Sequence, residues 1–348
     1  MKHLHSIVAI LLVTALTSCQ KWIFEKDSAS DDPFENFDYL WNEVDKKYAY
    51  FTLKSVDWDL VRERYRPMLY SGMSEDSLFN VLGNMLNELR DDHTNLMSPF
   101  NVSRYRPIIA GEDNFDYNIV RKYYINESEY TTGGFQHGQV KNNSVGYIRY
   151  KTFMTNVTND DMDFILNRYK NTIGIIIDLR ENGGGNFVNI PRILNRFTDK
   201  KKLVMYNRTR NGPGRDDFGP YEPFYITPSD KIKYLGKPVV VLIDGSSYSA
   251  STFFALATKA MDNMILIGET TGGGGGLPNG GQLPNGWVYR FSITQSYDLD
   301  KINYAEEGVP PDLRCELNWL NTNRDEILEL AIDKIVNFAG STIQNYEQ

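Results

Sequence analysis

The sequence predicts a protein of mixed α+β and α/β class, with a small N-terminal helical domain and an α/β core of mostly parallel strands flanked by helices. Helical periodicity dominates residues 34–99, whereas buried-strand and helix patterns alternate after Val145. The chain has 348 residues, of which 41% are hydrophobic and 13% aromatic. This composition is sufficient for a sizeable core.

The first 18 residues predict a signal peptide. The apolar run from Ile7 to Leu16 is too short to span a bilayer comfortably. The stretch "LTSC" resembles the lipobox of bacterial lipoproteins, which implies cleavage before Cys19 and its acylation. Gln20 at the next position implies, by the same resemblance, an outer-membrane lipoprotein. The alternative is an ordinary secretory signal. Residues 19–33 are polar and aperiodic, which favours a tether.

Three helices are expected in an N-terminal domain over residues 34–99. The second covers Trp58 to Leu69, and Ser74 can cap the third. Apolar side chains recur at helical spacing in the first helix (Phe34, Phe37, Leu40, Trp41, Val44, Tyr48) and in the third (Leu78, Leu82, Met85, Leu89).

Residues 100–144 predict a linker with short strands. "YNIVRKYY" has strand-like composition, and "TTGG" and "KNNS" suggest turns. His137 lies in "GGFQHGQV", which favours a solvated turn residue. The segment lacks the length of a PDZ domain.

The core, residues 145–348, alternates strands and helices. "IGIIIDL", "PVVVLI" and "MILIG" are continuous apolar runs typical of strands buried on both faces. Helices are expected between them and over residues 323–338. "WVYRFSI" suggests a further strand. Such alternation implies right-handed crossovers around a largely parallel sheet.

The formal net charge is -8 and no basic stripe occurs, so nucleic acid is not an expected partner. The two cysteines do not form a disulfide framework.

Three Gly- or Ser-rich turns follow buried strands, where sites form in α/β sheets. They are Asp178 to Asn186, Leu242 to Ala260, and "IGETTGGGGGLPNGG" from Ile267 to Gly281. The third lacks the Lys-Ser and the helix that a phosphate-binding P-loop requires. Four serines lie in the second turn, so the residues alone leave the nucleophile ambiguous, and simple helix capping is the alternative.

A serine nucleophile needs a base. Outside the signal peptide, His93 in "RDDHTNL" and His137 are the histidines. Asp91 and Asp92 could raise the pKa of His93 and orient its ring, or they could merely solvate a helix end.

The ordered motifs "RDDHTNL", "VGYIRYKTF", "IIIDLRENGGGN", "DGSSYSASTFFA", "IGETTGGG" and "EEGVPPD" resemble the S41 family of serine peptidases. This family includes the tail-specific or C-terminal processing peptidases and the tricorn core protease. The resemblance covers residues 34–320 and implies a ClpP/crotonase-like core.

The resemblance implies roles for individual residues. It makes Ser249 the nucleophile, with the Ala250 and Gly184 N–H groups as oxyanion donors. It places the lysine base of the processing branch on Gly274, so a Ser/Lys dyad is not expected. The tricorn-like branch instead implies His93 as the base.

The residue that orients His93 is predicted to be Glu306, with Glu307 and Asp92 as alternatives. Asp92 stands where the tricorn-like branch has a serine, and the closest register places Ala305 at the usual glutamate.

The expected function is peptide-bond hydrolysis in the cell envelope by a membrane-tethered serine endopeptidase. Its substrate would be a peptide or protein, and no metal or cofactor is required. The alternative is a non-catalytic protein that binds a peptide or an apolar ligand on the same fold. The sequence leaves the oligomeric state open.

Overall fold

The computed structural model of the protein describes residues 29–105, 114–125, 129–304 and 306–346, with side chains described to residue 339. Cys19, the predicted signal peptide and most of the predicted tether lie outside the described residues. Within the described ranges, no helix combines the length and apolar character needed to cross a bilayer.

The helices are α1 (Pro33–Lys47), α2 (Trp58–Tyr65), α3 (Glu75–Asn87), α4 (Tyr117–Tyr123), α5 (Asn159–Arg168), α6 (Asn189–Leu194), α7 (Ala250–Thr258) and α8 (Glu326–Tyr346). The strands are β1 (Asn95–Met97), β2 (Val102–Arg104), β3 (Tyr130–Thr132), β4 (Phe135–Val140), β5 (Val145–Tyr150), β6 (Gly174–Asp178), β7 (Lys202–Thr209), β8 (Glu222–Ile226), β9 (Val239–Ile243), β10 (Met264–Gly268), β11 (Pro278–Gln282), β12 (Val288–Ser292), β13 (Thr294–Tyr297) and β14 (Leu313–Arg314).

The three predicted N-terminal helices are present as α1, α2 and α3. Side-chain oxygens cap each of them: Asp32 for α1, Asp57 for α2 and Ser74 for α3. A cap satisfies N–H groups that have no partner within the helix. The second helix is shorter than predicted, because the chain tightens into a 3₁₀ turn at Arg66–Met68.

A seven-stranded sheet in the order β14-β10-β9-β6-β5-β4-β3 forms the centre of the fold. Strands β5, β6, β9, β10 and β14 run parallel, and β3 and β4 complete the sheet antiparallel. Helices α5, α6 and α7 contribute to the apolar cluster on one face, whereas α4 and α8 contribute to the other. The three continuous apolar runs form β6, β9 and β10, as predicted.

Two predictions for the segment before the core were wrong. "YNIVRKY" forms helix α4 rather than a strand, because Asp116 caps it and its buried residues, Ile119 and Val120, are adjacent rather than alternating. His137 is fully buried in β4, where its ring nitrogens contact the Tyr169 hydroxyl at 2.6 Å and the Thr132 hydroxyl at 2.9 Å. It is therefore a structural residue of the sheet.

A smaller sheet, in the order β11-β12-β1-β2, joins strands from residues 95–104 to strands from residues 278–292. Its strand β12 pairs with β1, so residues near position 290 lie against the segment that follows α3. One apolar cluster unites α1, α2 and α3 with Leu283, Trp287, Tyr289 and Phe291. The division into domains at residues 99 and 144 stays a prediction.

Candidate active site

Ser249 lies at the turn between strand β9 and helix α7. Its backbone has φ +55° and ψ -113°, a conformation that costs free energy for a residue with a Cβ. The turn is anchored because the Ser249 N–H donates to the Gly273 carbonyl at 3.0 Å and the Ser249 carbonyl accepts from the Phe253 N–H. Strained turns of this kind present a nucleophile at the end of a parallel sheet.

The glycine turn after β6 lies directly against this serine. A Cβ on Gly184 would come within 2.6 Å of the Tyr248 carbonyl and 2.8 Å of the Ser249 Cβ. Gly184 also has φ +90°, so glycine is required here by both space and conformation. Because β6 and β9 are adjacent parallel strands, their carboxyl ends bring the two turns together.

His93 reaches Ser249 from the loop between α3 and β1. Its Nε2 lies 2.9 Å from the Ser249 Oγ. Asp91 shapes the loop: its Oδ1 accepts from the His93 N–H at 2.8 Å, and its carbonyl accepts from the Thr94 N–H. The structure therefore brings together the two residues that the sequence assigned to nucleophile and base.

Burial controls the charge of His93, which is only 6% exposed. Burial lowers its pKa below the ordinary range, Asp91 and Asp92 act in the opposite direction, and Arg290 adds to the lowering. The ring is accordingly neutral at pH 7 and can accept a proton from a serine hydroxyl. Its Nδ1 has no hydrogen-bond partner among the described residues.

The predicted oxyanion donors differ in availability. The Ala250 N–H, at the first position of α7, has no acceptor among the described residues. The Gly184 N–H donates to the Asn182 Oδ1 at 2.9 Å. The N–H groups of Gly183 and Gly185, in the same turn, have no acceptor in the described part of the chain. A helix N-terminus beside a glycine turn supplies donors for a developing negative charge.

Glu306 is also buried, but its carboxylate pairs with a lysine rather than with His93. Its carboxylate pairs with the Lys54 Nζ at 2.7 Å, and its Oε2 has no hydrogen-bond partner among the described residues. Burial and the negative charge of Asp91 raise the pKa of Glu306 to about 7 despite the lysine. No hydrogen bond joins its carboxylate to His93 within the described residues, so an orienting role stays a prediction. The alternatives, Asp92 and Glu307, likewise make no hydrogen bond to the described His93 ring.

The glycine-rich loop after β10 supports the nucleophile turn. The Gly273 carbonyl accepts from the Ser249 N–H and from the Thr252 hydroxyl, the latter at 2.7 Å. At Gly274, where the resemblance would place a lysine base, a Cβ would lie 2.5 Å from the Cζ of Tyr248. The Tyr248 ring thus occupies the space that a side chain at position 274 would need.

A cavity of about 590 Å³ opens beside Ser249 and His93. The core and the small sheet both contribute to its wall. The apolar and glycine lining consists of Met154, Gly183, Gly184, Gly185, Phe187, Tyr248, Ala250, Phe253, Leu277 and Pro278, and the polar lining of Asp92, Asn95, Arg104, Thr152 and Arg290. Its size and position fit a peptide segment.

Sequence reasoning missed three residues of this region: Lys54, Tyr248 and Arg290. Tyr248 stands next to the predicted nucleophile, so its contact with position 274 follows once the turn is known. Arg290 lies 197 positions after its partner His93, and Lys54 lies still farther from its partner Glu306. Nothing local in the sequence marks either residue. Only the pairing of β1 with β12 reveals that Arg290 is near His93.

Comparison with known proteins places these residues in a family. Residues 144–315 match the model of peptidase family S41, and residues 31–87 match that of the tricorn protease C1 domain. The carboxy-terminal processing protease CtpA of Bacillus subtilis (strain 168) is 27% identical over 209 residues, which cover 60% of this chain and 41% of that protein. The chain therefore spans less than half the length of this relative.

Two solved structures have the same fold. A candidate peptidase from Parabacteroides merdae ATCC 43184 is 34% identical, with a TM-score of 0.78 over 88% of this chain and 97% of that one. The photosystem II D1 C-terminal processing protease is 16% identical, with a TM-score of 0.56 over 82% of this chain and 94% of that one. The similarity to the second structure concerns the fold alone. The family models and the first structure together show that the chain belongs to peptidase family S41.

Proposed function

We propose that this protein is a serine endopeptidase that uses Ser249 and His93. The contact of 2.9 Å between the His93 Nε2 and the Ser249 Oγ carries the proposal. In this mechanism His93 accepts the hydroxyl proton as Ser249 attacks a peptide carbonyl, and it then returns the proton to the leaving amine. A neutral, buried imidazole suits the first of these steps.

The Ala250 N–H is the first donor to the oxyanion, because it adjoins the nucleophile and is free to bind a substrate oxygen. Gly184 is the predicted second donor, and a substrate oxygen would compete with Asn182 for its N–H. Loss of one such donor typically lowers the rate by about 10²–10³-fold. The proposed mechanism uses groups of the protein chain and requires no added cofactor.

The proposed setting is the cell envelope, with the protein tethered through an acylated Cys19. This part rests on the "LTSC" pattern alone. Metabolic labelling with a fatty-acid analogue should mark the wild-type protein and leave Cys19→Ala unmarked. Equal labelling of the two would contradict the anchor and leave the peptidase proposal intact.

A fluorophosphonate probe tests the peptidase proposal directly, because it reacts with an activated serine. We expect labelling of Ser249 in the wild type and a loss of about a thousandfold or more in both labelling and peptide hydrolysis for Ser249→Ala and His93→Ala. Ser246→Ala is the matched control, since Ser246 is an exposed serine of the same turn. Circular dichroism spectra of all variants should match the wild type.

Absence of labelling in the folded wild-type protein would overturn the proposal. The remaining function would then be the alternative, a protein that binds peptides or apolar ligands without cleaving them. Full activity in His93→Ala would likewise exclude this histidine as the base.

A further inference from the structure

Two arginines lie on the polar wall of the cavity, close to the catalytic pair. Asn95 on β1 is directly opposite Arg290 on β12 and Arg104 on β2. Residues opposite one another in antiparallel strands project from the same face of the sheet. The two guanidinium groups therefore flank Asn95 on one face, and both line the cavity.

Within the described part of the chain, these two arginines lack the carboxylate partners that several other arginines have. Arg180, for example, is buried with Asp178 and Asp325. By contrast, neither Arg104 nor Arg290 forms an ion pair within the described residues. Arg290 uses its Nε to donate to the His93 carbonyl at 3.3 Å, which leaves its terminal nitrogens for another acceptor. The acid among the described lining residues is Asp92.

The arginines lie on the side of the site from which a leaving group departs. His93 must donate its proton to the leaving amine, so the fragment after the scissile bond passes the histidine. The segment that carries His93 continues directly into β1, and Arg290 bonds to the His93 backbone. The apolar residues Phe187 and Phe253 also line the cavity, and their ring centroids are 5.1 Å apart.

We propose that Arg104 and Arg290 bind a carboxylate of the substrate on the leaving-group side of the scissile bond. Guanidinium groups bind carboxylates through paired, charge-assisted hydrogen bonds. The carboxylate comes either from an acidic side chain or from the free C-terminus of a short leaving segment. This inference rests on the proposed peptidase function and adds the chemistry of its substrate.

The experiment first maps cleavage sites in a proteome-derived peptide library by mass spectrometry. A peptide cleaved in this way is then synthesised in matched forms: Glu or Gln at the acidic position after the scissile bond, and a free or amidated C-terminus. We expect at least one matched pair to favour the carboxylate form by about tenfold or more in kcat/KM, the effect of a charge-assisted hydrogen bond. The pair that responds identifies the source of the carboxylate.

Arg104→Gln and Arg290→Gln should reduce this preference to a ratio near one. Arg121→Gln, which replaces an exposed arginine on α4, should retain the wild-type ratio. Fluorophosphonate labelling of Ser249 in each variant separates a loss of serine reactivity from a loss of carboxylate preference. A labelled, active wild type with ratios near one for both pairs would overturn only this inference, as would a preference that survives in both arginine variants. A wild type without labelling would instead overturn the proposed function.

Discussion

At the scale of single residues, the proposed mechanism predicts that the protonation of His93 sets the pH range of activity. In the proposed mechanism the neutral ring is the base, so kcat/KM should rise as pH increases through the pKa of His93. Because burial lowers this pKa, the midpoint should lie below the ordinary histidine value of about 6.5. A pH–rate profile of peptide hydrolysis measures this midpoint.

Two neighbouring charges should shift the pKa of His93 in opposite directions, which provides a test. Asp92 raises the pKa of His93 and Arg290 lowers it. Asp92→Asn should therefore move the midpoint to lower pH, whereas Arg290→Gln should move it to higher pH. Shifts in the same direction, or a wild-type midpoint well above 6.5, would contradict the assignment of the rising limb to His93.

Glu306 should make the stability of the protein depend on pH. Its folded-state pKa of about 7 lies above the ordinary glutamate value of about 4.3. The folded protein therefore binds the proton more tightly than the unfolded chain, and this stabilisation is present at low pH and lost as pH rises through 7. Glu306→Gln, which cannot titrate, should show a smaller fall in the free energy of unfolding between pH 5 and pH 7.

Urea unfolding at pH 5, 6 and 7 measures this dependence. Glu307→Gln is the matched control, because Glu307 is the exposed neighbour and should keep the wild-type behaviour. The absolute stability of Glu306→Gln is a poorer indicator, since the substitution leaves Lys54 without its anion. An unchanged pH dependence in Glu306→Gln would contradict the raised pKa.

At the scale of elements, the glycine-rich loop after β10 acts as a support for the nucleophile turn. Gly274→Ala should lower kcat/KM about tenfold or more, because its Cβ would displace the Tyr248 ring beside Ser249. Gly236→Ala is a close control: Gly236 has φ +71° against +73° for Gly274, and a Cβ there meets nothing within 4 Å. Both variants bear the same backbone strain of about 1 kcal/mol or more, but only Gly274→Ala should lose activity. Equal activity in the two would show that the loop does not hold the turn.

Most of the buried strands and helices of the core could be predicted from the sequence, but helix α4 could not. The runs "GIIID", "VVVLI" and "MILIG" form buried strands because β-branched residues buried on both faces produce a local and unbroken signal. Helix α3 was equally predictable from its cap and its apolar stripe. Helix α4 was not, since a short mixture of aromatic and β-branched residues fits either structure until tertiary packing selects one.

At the scale of the whole molecule, the site depends on contacts distant in sequence. Ser249 and His93 are 156 positions apart, and their meeting requires the small sheet that joins β1 to β12. The sequence alone paired these residues through the family resemblance rather than through any local pattern. Arg290 lay beyond prediction for the same reason, and Lys54 did so because its partner Glu306 is distant in sequence.

This arrangement predicts that the N-terminal helical region and the contact between Ser249 and His93 are lost together on unfolding. Trp287, directly before β12, is buried in the N-terminal apolar cluster, with its ring 5.5 Å from that of Phe79. Trp287→Ala should lower the free energy of unfolding by about 3–5 kcal/mol, the usual cost of a large cavity. Trp319→Ala, at a tryptophan that is 42% exposed, should change it by no more than about 0.5 kcal/mol.

Urea unfolding followed in parallel by circular dichroism and by fluorophosphonate labelling measures both effects. We expect the two signals to fall in one transition, which moves to lower urea in Trp287→Ala and stays in place in Trp319→Ala. The physical reason is that β12 pairs with the strand that follows His93, so loss of the cluster releases the histidine from Ser249. If labelling survived after the helical signal had fallen, the two parts would be independent, and the position of His93 would have to be maintained by the core alone.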